Sequence, residues 1–142
     1  MSTRVGVGAM DLLTHAHTCL QEAAVAVRPT DRYAAAHLAA LRTAAAVLAA
    51  RAEREPAGRR RPRNAWVLLA RVAPELEEWA AFFAAGASKR TAAEAGIAAA
   101  VTAREADDLL RDAEVFLGVA TRMLGLPHHP PLPGVAAPLR AG

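Results

Sequence analysis

Residues 14–19, with the sequence THAHTC, carry side-chain types that bind zinc. His15 and Cys19 are four residues apart and share one face of a helix, where both could contact one ion. His17 lies near the opposite face, so the three side chains cannot bind the same ion from a regular helix. The adjacent histidines 128 and 129 belong to the carboxyl-terminal tail. We therefore predict packing or surface roles for these residues, with no metal site and no cofactor.

Residues 54–63, with the sequence REPAGRRRPR, concentrate positive charge in a stretch whose prolines and glycine prevent helix packing. Arginine binds phosphate through paired hydrogen bonds, and a cluster of arginines raises the local concentration of anions. No aromatic residue is interleaved to stack on bases. The stretch is either a solvated connector or a nucleic-acid-binding surface, and in the second case the binding residues are Arg59, Arg60, Arg61 and Arg63.

Residues 31–37, with the sequence DRYAAAH, open a helix whose inward face follows helical spacing. That face comprises Tyr33, His37, Leu41, Ala44 and Leu48, whereas Arg42 points roughly the opposite way. A histidine on an inward face is most simply a core residue that makes a hydrogen bond. From the residues alone, His37 is interpreted as such a core histidine.

Apolar spacing predicts four main helices. The first covers residues 11–27 and ends before Pro29, because the residue preceding a proline is driven out of the helical conformation. The second runs from Arg32 to about Glu53, after a cap at Thr30 or Asp31.

The third helix begins at Asn64, a favourable capping residue, and carries most of the large aromatic side chains. Pro74 either kinks this helix or starts a new segment, which Gly86 ends. Residues 87–101 fit two alternatives equally, a short helix that breaks at Gly96 or an ordered loop.

The last helix has a recognisable start, because Thr102 and Glu105 form a capping box. It ends at Gly125. Its apolar face repeats at helical spacing through Ala106, Leu109, Leu110, Ala113, Leu117, Ala120 and Leu124. Its other face is predicted to be solvated and comprises Arg104, Asp107, Asp108, Arg111, Asp112 and Glu114.

The composition supports a helical protein and excludes several chemistries. Among 142 residues, 54% are hydrophobic and only 4% aromatic, and alanine, the best helix former, is several times its usual frequency. One cysteine excludes an internal disulfide framework, while two serines and one lysine leave little material for serine-nucleophile or P-loop chemistry. The predicted fold is all-α, an antiparallel up-and-down four-helix bundle, or five helices with a kink at Pro74.

The expected organisation is a flexible N-terminus at residues 1–9, a bundle domain at 10–125 and a disordered proline-rich tail at 126–142. The formal net charge of +3 is unevenly spread, since residues 1–71 carry 11 basic and 5 acidic side chains and residues 72–142 carry 6 and 9. The longest uncharged stretches are shorter than the ~18 residues that a membrane span needs. We therefore predict a cytoplasmic protein without a membrane segment.

The run DRYAAAHLAALRTAAAVLAAR, residues 31–51, resembles the second helix of HEPN domains, the higher eukaryotes and prokaryotes nucleotide-binding superfamily. That helix typically shows an arginine, an aromatic residue, alanine and then histidine, followed by alanine and leucine. The order of the later segments is similar to an actinobacterial HEPN subfamily: the arginine-rich joint, then NAWVLLARVAPELEEWAAFFAAG and TAREADDLLRDAEVFL. The resemblance covers about residues 10–125.

The resemblance implies a four-helix up-and-down domain that commonly dimerises. Many HEPN proteins are metal-independent ribonucleases with an arginine followed, after four to six residues, by a histidine. Arg32 and His37 match that spacing, which would make them the catalytic residues of a site shared by two protomers. Histidine would transfer a proton and arginine would stabilise charge on the phosphate. Other HEPN proteins lack the motif and bind nucleotides or partner proteins, often beside a small nucleotidyltransferase.

This sequence departs from the nuclease pattern in three ways. Tyr33 stands where the motif prefers a polar residue, and the match lies on the second helix rather than near the last. Residues five apart point ~140° from each other on a regular helix. We therefore predict a HEPN-like homodimer that binds RNA, a nucleotide or a protein partner such as a nucleotidyltransferase, in the manner of toxin–antitoxin pairs. The alternatives are an endoribonuclease using Arg32 and His37, and a non-catalytic helical adaptor.

Overall fold

Helices form nearly the whole of the structure, a computed structural model that describes residues 5–51 and 64–126. They are α1 (Val7–Val25), α2 (Pro29–Arg51), α3 (Ala65–Val72), α4 (Glu77–Ala85), α5 (Ala87–Glu94) and α6 (Ala103–Met123). Two short 3-10 turns lie at Pro74–Leu76 and Ala98–Ala100, and these described ranges contain no strand. The predicted all-α bundle is confirmed.

The first two helices meet at a shorter junction than the sequence suggests. α1 begins at Val7 and ends at Val25, and Pro29 is the first residue of α2 rather than a residue between helices. Proline is well suited to a first helical position, where its missing N–H costs no hydrogen bond. The predicted cap at Thr30 or Asp31 is therefore wrong, because both residues lie inside the first turn. A link of three residues makes α1 and α2 antiparallel neighbours.

α2 is the central helix, and it packs against α1, α3, α5 and α6. Its buried residues include many alanines, which allow neighbouring helices to approach closely: Thr30, Tyr33, Ala36, His37, Ala39, Ala40, Thr43, Ala44, Ala46 and Val47. The Nε of Arg42 donates a 3.0 Å hydrogen bond to Nδ1 of His15 on α1, on the exposed side of the contact between the two helices. A helix with neighbours on several sides has no single inward face.

By length and composition alone, α2 could cross a membrane, because an 18-residue window within it has a mean hydropathy of 1.3. Half of that window is buried inside the fold. The core helix of a water-soluble bundle has the same character, so this feature is weak evidence for a membrane span.

The chain between Asn64 and Glu94 forms three helices rather than one, because it is interrupted near Pro74 and at Gly86. Asn64 caps α3 by accepting a 2.8 Å hydrogen bond from the backbone N–H of Trp66. Pro74 then starts a new segment, which passes through the 3-10 turn into α4. Gly86 separates α4 from α5, and α5 ends at Glu94, two residues before Gly96, whose φ of 76° favours glycine. Residues 87–101 thus adopt the short-helix alternative.

Aromatic rings from three helices fill the centre of the bundle. The ring of Phe83 on α4 lies 5.1 Å from the rings of both Trp66 on α3 and Phe116 on α6. Trp79 also packs on Phe116, with ring centroids 5.3 Å apart. Alanine-rich helices leave little apolar volume of their own, so these few large side chains supply the interior contacts between α3, α4 and α6.

α6 begins and ends where the sequence predicts. Thr102 Oγ1 accepts from the backbone N–H of Glu105 at 3.1 Å, and Glu105 Oε1 accepts from the N–H of Thr102 at 3.0 Å. Gly125 has a φ of 75°, and the next N–H, that of Leu126, bonds the carbonyl of Thr121 at 3.0 Å. This arrangement is a Schellman motif.

The prediction that the whole polar face of α6 is solvated is wrong. Asp112 is only 2% exposed, and Glu114 is half-buried, so that burial raises the pKa of its carboxyl. The reason is the position of Asp112 on α6. It lies seven residues after Glu105 and four after Asp108, on the side of the helix that faces α2 and α4.

Removing the capping hydroxyl should weaken α6 without changing the core. We expect Thr102→Ala to lower the free energy of unfolding by about 1 kcal/mol, because the backbone N–H of Glu105 loses the hydroxyl oxygen that accepts its hydrogen bond. Urea denaturation measures this change. Thr14→Ala, in the exposed middle of α1, is the matched control and should leave the midpoint nearly unchanged. Equal midpoints for both variants would contradict a stabilising cap.

Candidate functional site

A cavity of about 340 Å³ opens between α2, α4, α5 and α6. This volume is at the lower end of the ~300–1,000 Å³ range that is typical of ligand pockets. Its wall combines aromatic rings with ionisable groups, among them Tyr33, His37, Phe82, Lys89, Asp108 and Asp112. Such a mixture of a hydrophobic surface and a few convergent polar groups makes it the candidate ligand site.

Two side-chain rows on neighbouring helices form the polar part of the wall. On α2, Tyr33 and His37 are separated by four residues; on α6, Glu105, Asp108 and Asp112 follow at intervals of three and four. Both rows start near the beginning of their helix and face the same cavity. α2 and α6 therefore run in the same direction, as expected for the second and fourth helices of an up-and-down four-helix bundle.

His37 lies deep in the cavity wall and is only 1% exposed. Its Nε2 donates a 3.2 Å hydrogen bond to the carbonyl oxygen of Phe83, so Nε2 carries the ring proton. The ring meets Trp66 and Phe83 edge-on, with centroids 6.0 and 5.9 Å away. Nδ1 is buried and has no hydrogen-bond partner among the described residues. Burial lowers the pKa of His37 and favours the neutral ring.

The hydroxyl of Tyr33 closes the cavity near the joint between α4 and α5. A Cβ atom added to Gly86 would lie 3.0 Å from this hydroxyl oxygen, so glycine leaves the room that the tyrosine occupies. Burial, and after it the negative charge of Glu105, raises the pKa of Tyr33. The side chain is therefore a neutral phenol, able to donate or accept a hydrogen bond.

The α6 carboxylates give the cavity a negative charge. Glu105 pairs with Lys89 of α5, and the hydrogen bond from Lys89 is the main reason that the pKa of Glu105 is lowered. Asp108 Oδ1 accepts a 2.8 Å hydrogen bond from Arg111. Among the described residues that line the cavity, Glu105, Asp108 and Asp112 are acidic and Lys89 is basic. The salt bridges of Glu105 with Lys89 and of Asp108 with Arg111 offset part of this negative charge. Because like charges repel, this surface is unsuited to a phosphate group.

Arg32 does not line the cavity. Its Nε donates to the carbonyl oxygen of Ala23 at 3.1 Å and its NH2 donates to that of Ala26 at 2.8 Å. Its remaining amino group pairs with Asp107 on α6. Arg32 therefore joins the end of α1 to α6, and the structure does not bring it to the cavity that His37 lines.

The other candidate residues lie away from the cavity or outside the described residues. His15 bonds Arg42, and Cys19 is buried, which raises the pKa of its thiol. Over residues 5–51 and 64–126, no group of three or more histidine, cysteine, aspartate or glutamate side chains is arranged to hold a metal ion. The predicted nucleic-acid-binding residues lie outside the described ranges: Arg59, Arg60, Arg61 and Arg63.

A family model for SAV_6107-like HEPN domains matches residues 23–121, which is more than two thirds of the chain. The chain belongs to this HEPN family. The match runs from the last three residues of α1 almost to the end of α6, so it includes Arg32, His37 and every residue that lines the cavity. Nothing among curated proteins or among solved structures matches the chain.

Sequence reasoning placed only part of this HEPN site. The spacing of Tyr33 and His37 put both on an inward face, which is correct. The contribution of α6 was missed, although Glu105, Asp108 and Asp112 share one helix face and that spacing is visible in the sequence. The role of Lys89 was missed as well, because the sequence of residues 87–101 is compatible with either a short helix or a loop.

Arg32 should contribute to stability. We expect Arg32→Met to lower the free energy of unfolding by about 1.5–3 kcal/mol, because charge-assisted hydrogen bonds to two carbonyl oxygens and to Asp107 are lost. Urea denaturation tests this role. Arg104→Met is the control, because the Arg104 side chain is 92% exposed and its loss should change the stability little. Unchanged stability of Arg32→Met would contradict the proposed link between α1 and α6.

His37 should make the stability depend on pH. Its folded-state pKa is below the ordinary value of 6.5, so the unfolded chain binds the proton more readily. Its contribution is therefore complete at neutral pH and is lost progressively as the pH falls below about 6.5. We expect the free energy of unfolding to decrease from about pH 7 to about pH 5, and His37→Leu to flatten this slope.

The matched control for this pH dependence is His17→Gln, which removes an exposed histidine of α1. It should keep the slope of the wild-type protein. Denaturation curves across the pH range separate the two variants, and a slope that persists in His37→Leu would assign the effect to another group.

Proposed function

We propose that this HEPN domain acts by binding a partner protein through the cavity and does not cleave RNA. The observation that carries the proposal is the acidic side of the cavity wall, where Glu105 pairs with Lys89 and the partly exposed carboxylate of Asp108 also lines the cavity. RNA and nucleotides would bring further negative charge to these carboxylates. A protein surface can instead present a cation, which the same carboxylates attract.

The surroundings of Arg32 and His37 argue against the ribonuclease alternative. Arg32 is hydrogen-bonded to two carbonyl oxygens and paired with Asp107, so most of its hydrogen-bonding capacity is already used. Catalytic proton transfer works best when the pKa of the group is near the operating pH, whereas burial lowers the pKa of His37. Both features support a binding role.

We propose further that the protein acts in the cytoplasm and forms a homodimer, and that a nucleotidyltransferase is one candidate partner. Membership of the HEPN family supports these proposals, because the resemblance implies a domain that commonly dimerises and often acts beside a nucleotidyltransferase. RNA binding by the arginine cluster at residues 59–63 remains a separate prediction, since the cavity does not favour it.

Selection of peptides against the immobilised full chain tests the binding role. We expect short peptides from a random library to be enriched, and to bind Asp108→Asn at least about tenfold more weakly than the wild-type protein. Asp11→Asn removes the same charge from the exposed surface of α1 and should bind as the wild type does. Fluorescence anisotropy of labelled peptides supplies the affinities.

Two results would overturn this proposal. One is a set of enriched peptides whose affinity is the same for Asp108→Asn and Asp11→Asn, which would remove the cavity from the interaction. The other is cleavage of a labelled structured RNA in EDTA by the wild-type chain but not by His37→Ala, which would establish the ribonuclease alternative.

A further inference from the structure

We propose that the cavity binds a guanidinium group, presented by an arginine side chain of the partner. This inference rests on the proposed function and names the chemical group that the cavity takes. The cavity volume of about 340 Å³ suits one side chain better than a folded peptide segment. The choice of guanidinium depends on the hydrogen-bond acceptors and on the aromatic walls.

Asp108 offers the accessible acceptor. Both carboxylate oxygens of Glu105 are already used, since Oε1 accepts from the backbone of Thr102 and Oε2 accepts from Lys89. Asp108 differs, because Oδ1 accepts from Arg111 while Oδ2 lies 4.0 Å from Nε of Arg104, beyond hydrogen-bond distance. The side chain of Asp108 is 43% exposed, so a cation that enters the cavity can pair with its carboxylate in competition with Arg104.

His37 supplies a second observation that points to a donor-rich ligand. Because Nε2 carries the proton and bonds Phe83, the buried Nδ1 has a lone pair that can only accept. An unmatched buried acceptor costs free energy that a ligand N–H would recover. A guanidinium has five N–H donors and no acceptor, which complements the carboxylate of Asp108 and the unpartnered acceptor of His37, two residues that line the cavity.

The aromatic walls distinguish guanidinium from ammonium. Phe82 and Phe83 line the cavity with rings at 73° to each other and centroids 5.1 Å apart, and Tyr33 lines the α2 side. A guanidinium is planar and weakly hydrated, and it stacks on aromatic faces while its edge bonds a carboxylate. An ammonium is a compact and strongly hydrated charge with no flat face to stack, so it gains less from these rings.

Chemical-shift titration of the full-length protein by NMR, with methylguanidinium chloride as the probe, tests the inference. We expect saturable shifts confined to the residues around the cavity, with a dissociation constant of about 1 mM, as suits so small a ligand. Asp108→Asn should weaken binding at least about tenfold, and Asp11→Asn should not change it. Phe82→Leu should weaken binding of methylguanidinium more than that of methylammonium.

The source of the guanidinium is tested by a short glycine-flanked arginine peptide and its lysine counterpart. We expect the arginine peptide to bind at the same residues as methylguanidinium, and the lysine peptide to bind at least about fivefold more weakly. If methylguanidinium binds and the arginine peptide does not, the site belongs to a free guanidine compound and the assignment to a partner side chain is wrong.

Three outcomes would overturn the guanidinium assignment itself: equal affinity for methylammonium, unchanged binding to Asp108→Asn, or stronger binding of guanosine monophosphate. These failures are distinguishable from failure of the proposed function. Peptides that depend on Asp108 but tolerate lysine in place of arginine would retain the partner-binding role and reject the guanidinium alone.

Discussion

The architecture depends on Phe83, which joins the aromatic centre of the bundle to the central helix. Its ring packs against Trp66 and Phe116, and its carbonyl oxygen accepts the hydrogen bond from His37. One residue of α4 therefore satisfies a buried polar group of α2 and fills apolar volume beside α6. Because a buried imidazole without partners is costly, this bond also fixes how α4 lies against α2.

The cavity lies where the chain between α3 and α5 is interrupted. Pro74 prevents α3 and α4 from forming one straight helix, and Gly86 turns the chain into α5. The segment after Gly86 carries Lys89, which pairs with Glu105, so the same interruptions also bring a cation to the cavity wall.

Much of the fold could be predicted from the sequence, because local signals dominate an alanine-rich helical chain. The capping box at Thr102 and the cap at Asn64 were found from residue types alone. The start of α1 was placed too late, since Gly8 has a poor helix propensity and only the burial of Ala9 reveals that tertiary packing overrides it.

The site was less predictable for a related reason. Hydrophobic periodicity assigns polar residues to solvent, so Asp112 was placed on the surface although it is buried. Which polar residues of a helix face a neighbour depends on contacts between distant segments, and one sequence contains no record of them. Likewise, the spacing of Arg32 and His37 suggests a catalytic pair, but only the fold shows that the guanidinium of Arg32 is hydrogen-bonded to carbonyl oxygens at the end of α1.

The common direction of α2 and α6 has an electrostatic cost that the sequence offsets. Neighbouring helices that point the same way place their partial positive charges side by side, and these charges repel rather than cancel. Asp31 and Glu105 stand in the respective first turns, where a carboxylate neutralises such charge. Acidic residues at this end of the molecule thus offset part of the charge that the topology creates, and a ligand that enters there meets their field.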